Sequence, residues 1–187
     1  RTLKPCGLEL GGKAAVIVFA DADLQNAAKK GLTGAVSANG QGCVNGTRLL
    51  VERSIYEPYL QLLSAMAGYI TVGDPFDQTT TMGPVISEPA MQRILGMVDR
   101  GVGEGARLVA GGKRLQGDHA GGYFLPVTIL ADVANGSDLA QHEVFGPVLA
   151  VTPFDSEEEA IALANATEYG LGAYIHTQNL RRAHHVA

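Results

Sequence analysis

Tryptophan is missing from these 187 residues, aromatic side chains make up only 6% of them, and cysteine occurs twice. Two cysteines, Cys6 and Cys43, supply neither a disulfide framework nor the ligand spacing of a metal site, so no metal is expected and the thiols are read as reduced, in the cytoplasm. Positive charge is also short. A net charge of −5 argues against a nucleic-acid or anionic-membrane partner, which would want a basic face. No apolar run approaches the roughly 20 residues that cross a bilayer, and the opening RTLKPCGLEL lacks the hydrophobic stretch of a signal peptide. With 46% hydrophobic and 18% charged residues, what remains is the composition of an α/β domain with a real core.

Short apolar runs alternate with amphipathic helical patterns along the whole chain. AAVIVF (14–19) reads as a strand buried on both faces. Leu24, Ala27, Ala28, Leu32, Ala35 and Val36 follow at helical spacing, and TRLLVE (47–52) is the next strand. Ser54 and Glu57 have capping-box spacing at the head of a second helix, with Pro58 in its first turn. A Gly/Pro/Asp/Thr loop (73–86) leads to a helix capped by Ser87. RLVAG, YFLPVTIL, PVLAVTPF and LGAYIHT are strand candidates. DSEEEAIALANAT and the tail QNLRRAHHVA are helical, the former with acids in the turn where the helix dipole favours them. This order predicts a three-layer αβα fold with a mostly parallel sheet and no internal boundary.

Three motifs mislead. Gly7, Gly12 and Lys13 in GLELGGKA have phosphate-loop spacing. Ala14, however, stands where magnesium needs a hydroxyl, Glu9 puts an anion inside the cradle, and a strand follows instead of a helix. GVGEGA (101–106) fits a dinucleotide fingerprint but lies after a helix and before a strand, the reverse of what that fingerprint needs, so it reads as a helix end. His142-Glu143 starts a zinc-protease pattern whose second histidine is absent, Gly146 standing there. His184 and His185 read as a solvated pair.

Chemistry gathers in three other stretches. ANGQGCVNGTRLLV (38–51) holds Cys43 in a glycine-rich turn between helix and strand, where small neighbours admit a substrate and free backbone N–H groups to meet an oxyanion. Cys6, beside Pro5, reads as packing. Glu9, between Leu8 and Leu10, reads as a partly desolvated carboxylate suited to act as a base, or equally as one that caps a turn or pairs with Lys13. In EVFGPVLAV (143–151), Glu143 can accept hydrogen bonds from a sugar diol and Phe145 offers a flat surface to a heterocycle; a strand-entry turn with a core phenylalanine is the plainer alternative.

Taken together, LELGGK, then GQGC 34 residues later, then EVFGPV resemble the NAD(P)-dependent aldehyde dehydrogenase superfamily in order and separation. DADL, VGDPFD, MGPVIS, EGARLVAGG and EEAIALANATEYGL extend the resemblance over essentially the whole chain. It implies that Cys43 is the thiol that attacks the aldehyde carbon, its backbone N–H being half of an oxyanion hole, and that Glu9 is the base that activates water against the resulting thioester. It implies further that Glu143 binds the nicotinamide ribose, that Phe145 packs near the nicotinamide, and that the backbone of Leu10 and Gly11 lines that site. The implied cofactor is NAD or NADP, the partner a small aldehyde, and the assembly a homodimer or homotetramer.

The family's cofactor-binding domain and oligomerisation strand have no counterpart here. With Arg1 in place of an initiator methionine and RRAHHVA stopping inside a helical pattern, the chain is expected to be a catalytic domain (1–187) cut at both ends and inactive by itself. Two other outcomes stay open: a CoA-acylating enzyme, which Glu9 disfavours, and a non-catalytic homologue that kept the fold.

Overall fold

The computed structural model describes residues 3–187. The first strand, β1 (Ala15–Val18), is buried at every position, as its unbroken apolar run predicts. It feeds α1 (Leu24–Val36), whose first turn is closed by Asp23 accepting the Asn26 N–H, a cap of about 1 kcal/mol. Then come β2 (Arg48–Glu52), α2 (Tyr56–Ala67) and the long α3 (Glu88–Gly103), which Ser87 caps through the Ala90 N–H. β3 (Arg107–Ala110), β4 (Thr128–Ala131), the short α4 (Asp138–Gln141) and β5 (Val148–Phe154) follow. The described chain ends with α5 (Glu157–Asn165), β6 (Ala173–His176) and α6 (Leu180–Val186).

The six strands form one sheet in the order β3-β4-β5-β2-β1-β6, parallel throughout except for the antiparallel edge pair β3-β4. Alternation along each strand divides the core. Val16, Val18, Leu49 and Val51 point to a cluster completed by Ala27, Leu32, Tyr59 and Leu63 of α1 and α2. Ala15, Ile17, Leu50 and Phe154 point the other way, to Ala160 of α5. On that second face, further along the sheet, Leu130, Val148 and Ala150 pack against Met91, Ile94 and Val98 of α3 and Leu139 of α4. The result is the expected three-layer αβα arrangement. No helix among the described residues is long and apolar enough to cross a membrane.

Two local expectations change. The Ser54–Glu57 capping box does not form: Ser54 donates to Glu52, Glu57 pairs with Arg107 at 2.6 Å, and Ile55 precedes α2 without a side-chain cap. Long-range charge pairing displaces the local bond. In YFLPVTIL only the last three residues enter β4, because Tyr123 instead supplies its carbonyl to the Val85 N–H.

Register decides where the site lies. Ala15 stands opposite both Arg48 and Ala173, and Arg48 stands opposite Ala150. The segments entering β1, β2, β5 and β6 therefore meet along one rim, at the amino ends of the parallel strands. The carboxyl rim carries ion pairs instead: Arg53–Asp155 at 2.5 Å and Arg182 with Asp21 and Glu157 at 3.0 and 2.9 Å.

Candidate active site

Cys43 sits on the amino rim, in the turn between α1 and β2. Past α1 the chain makes a tight 3-10 turn, Ser37–Gly40, in which Ala38, Asn39 and Gly40 all take left-handed φ values of 49°, 56° and 72°. Three successive residues in that region are costly for side chains other than glycine, and asparagine bears it best. Cys43 follows as a free, half-buried thiol. Its turn is tied down on both sides: Asn45 donates its side-chain N–H to the Ser37 carbonyl at 3.0 Å, and the Tyr174 hydroxyl donates to the Val44 carbonyl at 2.8 Å.

The strand-entry loop of β5 packs beside it. Val144 is buried in the α3/α4 cluster, and its carbonyl accepts from Arg93 at 2.6 Å. These anchors hold Phe145 at φ 49° with 37% of its surface exposed, so its ring is not core filler. Gly40 lies directly against Gly146 and Pro147, where a β-carbon has no room.

Between the two loops runs the Gly11-Gly12 pair that leads to β1. The Gly12 N–H donates to Glu143 Oε1 at 3.1 Å. A β-carbon on Gly11 would come within 2.7 Å of Glu143 Oε2, and one on Gly12 would collide with the Cys43 carbonyl oxygen. Cys43, Gly11, Gly12 and Glu143 thus form one continuous rim, with backbone touching backbone where side chains would intervene.

Glu9 departs from expectation. It is exposed, as are Leu8 at 75% and Leu10 at 68%, so the neighbours expected to desolvate it do not cover it. Residues 3–11 lie outside helix and strand. Among the described residues Glu9 makes no hydrogen bond and does not pair with Lys13. Its tie to the site is the chain itself, since the three residues to Gly12 reach at most about 11 Å. Cys6, read as a packed cysteine, is also exposed, for the same lack of a covering element.

Lys13 is the residue the sequence reading missed. Only 3% of its surface is exposed, and among the described residues its ammonium has no hydrogen-bond partner. Burial, helped by the charge of Arg48 and opposed by Glu143 and Asp138, brings its pKa down from 10.5 to about 7. Arg48, 1% exposed, donates to the last carbonyls of α5, Leu163 at 2.7 Å and Ala164 at 2.6 Å. The available signal was position: each cation opens an apolar run that is buried on both faces.

Two grooves flank the edge strand β6 and reach this rim. One, of about 630 Å³, runs between α1 and β6 and touches Val44, Asn45 and Gly46, the three residues after the thiol. The other, of about 320 Å³, is lined by Lys13, Arg48 and Tyr169. Neither reaches the side chain of Cys43 or of Glu9.

Comparison with known proteins places this geometry. The model of the aldehyde dehydrogenase family matches residues 1–187. Betaine aldehyde dehydrogenase 1 of Rhizobium meliloti (strain 1021) is 44% identical over 185 residues, 99% of this chain and 38% of the relative. The crystal structure of HpcC from Thermus thermophilus superposes with a TM-score of 0.93 at 44% identity, covering 96% of this chain and 36% of that one. Betaine aldehyde dehydrogenase from Staphylococcus aureus, solved in complex with NAD+ and with a BME-modified cysteine, gives a TM-score of 0.92 at 38% identity, covering 95% and 36%. The chain therefore spans under two fifths of the length of these relatives. With its α/β sheet, its cysteine turn and a match from end to end, it belongs to the aldehyde dehydrogenase family.

Proposed function

We propose that the whole protein oxidises a small aldehyde to a carboxylic acid with NAD(P)+ and water, through a covalent adduct on Cys43. The observation that carries this reading is the Gly12 junction, which puts the Cys43 turn and the Glu143 carboxylate on one rim with no side chain between them. The thiolate adds to the aldehyde carbon to give a thiohemiacetal, and the new oxyanion meets the Cys43 backbone N–H. A nicotinamide held beside Glu143 and Phe145 would supply the hydride acceptor, so that the adduct on Cys43 would become a thioester. Glu9 then removes a proton from the water that cleaves the thioester, which releases acid and regenerates the thiol.

The residues present suit the cofactor. Glu143 spends Oε1 on Gly12 and keeps Oε2 beside the bare Gly11 backbone, a carboxylate placed to accept from a ribose diol. Phe145 holds an exposed ring next to it, and the S. aureus relative carries NAD+. Leu10 and Gly11 continue the same edge. The reduced cysteines fit a cytoplasmic setting, and the family resemblance supports a homodimer or homotetramer.

Mass spectrometry of the whole protein after exposure to aldehydes tests this reading. An acyl or hemiacetal adduct on Cys43, absent in Cys43→Ala together with all oxidation, is the expected result. Oxidation that survives Cys43→Ala overturns it, and thioester turnover that depends on added CoA replaces water as the acceptor.

A further inference from the structure

The thiol turn borrows its shape from a loop that contributes nothing to the reacting groups. Asn39 lies four residues before Cys43, and its side-chain amide is used at both ends. Oδ1 accepts the Gly83 N–H at 3.0 Å and Nδ2 donates to the Pro84 carbonyl at 2.9 Å. Two residues on, Gln41 Oε1 accepts the Ile86 N–H at 3.1 Å. These bonds span 44 or 45 positions of chain and fasten the turn to residues 82–87. That loop is firm in its own right: Met82 and Val85 are 1% and 2% exposed, and the Val85 N–H donates to Tyr123.

The need for such a fastening is written in the backbone. Ala38, Asn39 and Gly40 are all left-handed, a run that neither helix nor strand continues and that costs of order 1–3 kcal/mol per non-glycine residue. Within the turn the chain bonds to itself at few points, Gln41 N–H to Ala38 and Asn45 N–H to Gly42 among them. Neither fixes the turn against the sheet. Among the described residues, the Asn39 and Gln41 side chains and the Gly40 contact with Gly146 and Pro147 do so on this side, as the Tyr174 hydroxyl does at Val44 on the other.

We propose that Asn39 is a positioning residue for Cys43, its amide clamping the thiol turn to the Gly83-Pro84 backbone so that the sulfur meets its electrophile in a fixed place. The proposal rests on the reading of Cys43 as nucleophile. A displacement near 1 Å at a reacting atom costs up to about a hundredfold in rate, so a loosened turn shows first in the chemistry of the sulfur. Gly40 and Gly42 carry no side chain that could resist that movement, so on this side the resistance falls to Asn39 and Gln41.

The test compares Asn39→Gly, which keeps the left-handed backbone and loses both bonds, with Asn39→Asp, which keeps an acceptor for Gly83 but faces the Pro84 carbonyl with an oxygen. Each is made in the whole protein, and alkylation by iodoacetamide is read on the Cys43 peptide by mass spectrometry. Expected are a fall of about tenfold or more in both kcat and alkylation rate, aldehyde KM within about threefold of wild type, and an unchanged circular-dichroism spectrum. If Cys43→Ala is inactive but both Asn39 variants alkylate and turn over at the wild-type rate, the clamp is refuted and the nucleophile stands. If Cys43→Ala stays active, the nucleophile reading falls and the proposal with it. Should the Asn39 variants fail to fold, Gln41→Ala leaves the Asn39 amide as the turn's tie to Gly83 and Pro84: alkylation near the wild-type rate supports the clamp, and a tenfold fall there overturns Asn39 as the residue that holds the sulfur.

Discussion

Glu143 receives the backbone N–H of Gly12 at 3.1 Å across 131 positions of sequence, while the other side of Gly12 rests on the Cys43 carbonyl. One residue without a side chain therefore spaces the thiol turn from the carboxylate. Gly12→Ala is expected to force these two loops apart. Overpacking of this kind costs about 1–3 kcal/mol of stability, and the displaced turn should lower kcat by about tenfold or more. Urea unfolding and steady-state kinetics on the same preparation check both, and an alanine variant with wild-type turnover removes the junction from the mechanism.

Glu143→Gln and Glu143→Ala separate structure from charge. Glutamine keeps an acceptor for the Gly12 N–H, so its stability should stay close to wild type, while alanine loses that bond at about 1–2 kcal/mol. Both lose the anion proposed to meet the ribose diol. Hydride transfer, followed as reduced-nicotinamide absorbance in a single turnover, should therefore slow by about tenfold in each. A glutamine variant with wild-type transfer places ribose recognition elsewhere.

Glu9→Gln should leave thioester formation almost intact and slow its hydrolysis by about a hundredfold, within the usual contribution of a general base. The signature is a burst of reduced cofactor followed by a slow steady state. Equal slowing of both phases would move Glu9 out of the hydrolytic step.

Lys13 makes stability depend on pH in an unusual direction. Its buried ammonium titrates near 7 in the folded chain and at 10.5 when unfolded. Below pH 7 both states carry the proton and the fold bears the whole cost of burying the charge. Between about 7 and 10.5 the unfolded chain binds a proton that the folded chain does not, so stability rises with pH through that window. The gain from pH 7 to 9 is about 2 kcal/mol, because at pH 7 the folded chain still holds half a proton. Lys13→Met should be the more stable form at pH 6.5, and its advantage should shrink by pH 9 as wild type gains. Urea midpoints at the two values check this; a constant gap means that Lys13 stays charged in the fold.

Much of this arrangement was legible from residue pattern alone, and the misses share one cause. The run of β1, the Ser87 cap and the acidic start of α5 are local devices, and each formed where the pattern put it. Glu57 was read by its near neighbour Ser54 but is claimed by Arg107, fifty positions away. Glu9 was expected under cover of Leu8 and Leu10, yet covering requires a third element that adjacency does not supply. Lys13 and Arg48 were invisible because a cation at the mouth of a strand looks solvated until register sets α5 above it. The family motifs located Cys43 and Glu143, but only pairing of β1, β2 and β5 reveals that Gly12 joins them.

The separation of the two ends of the sheet has a practical meaning. Every glycine turn of the proposed chemistry enters from one side, whereas Arg53, Asp155, Asp21 and Arg182 decorate the opposite margin. A dye or a surface tether grafted beyond Phe154 would hang from the far end of the strands. The glycine turns at the near end would stay free of the graft, so the whole protein could be held to a surface without a label beside Cys43.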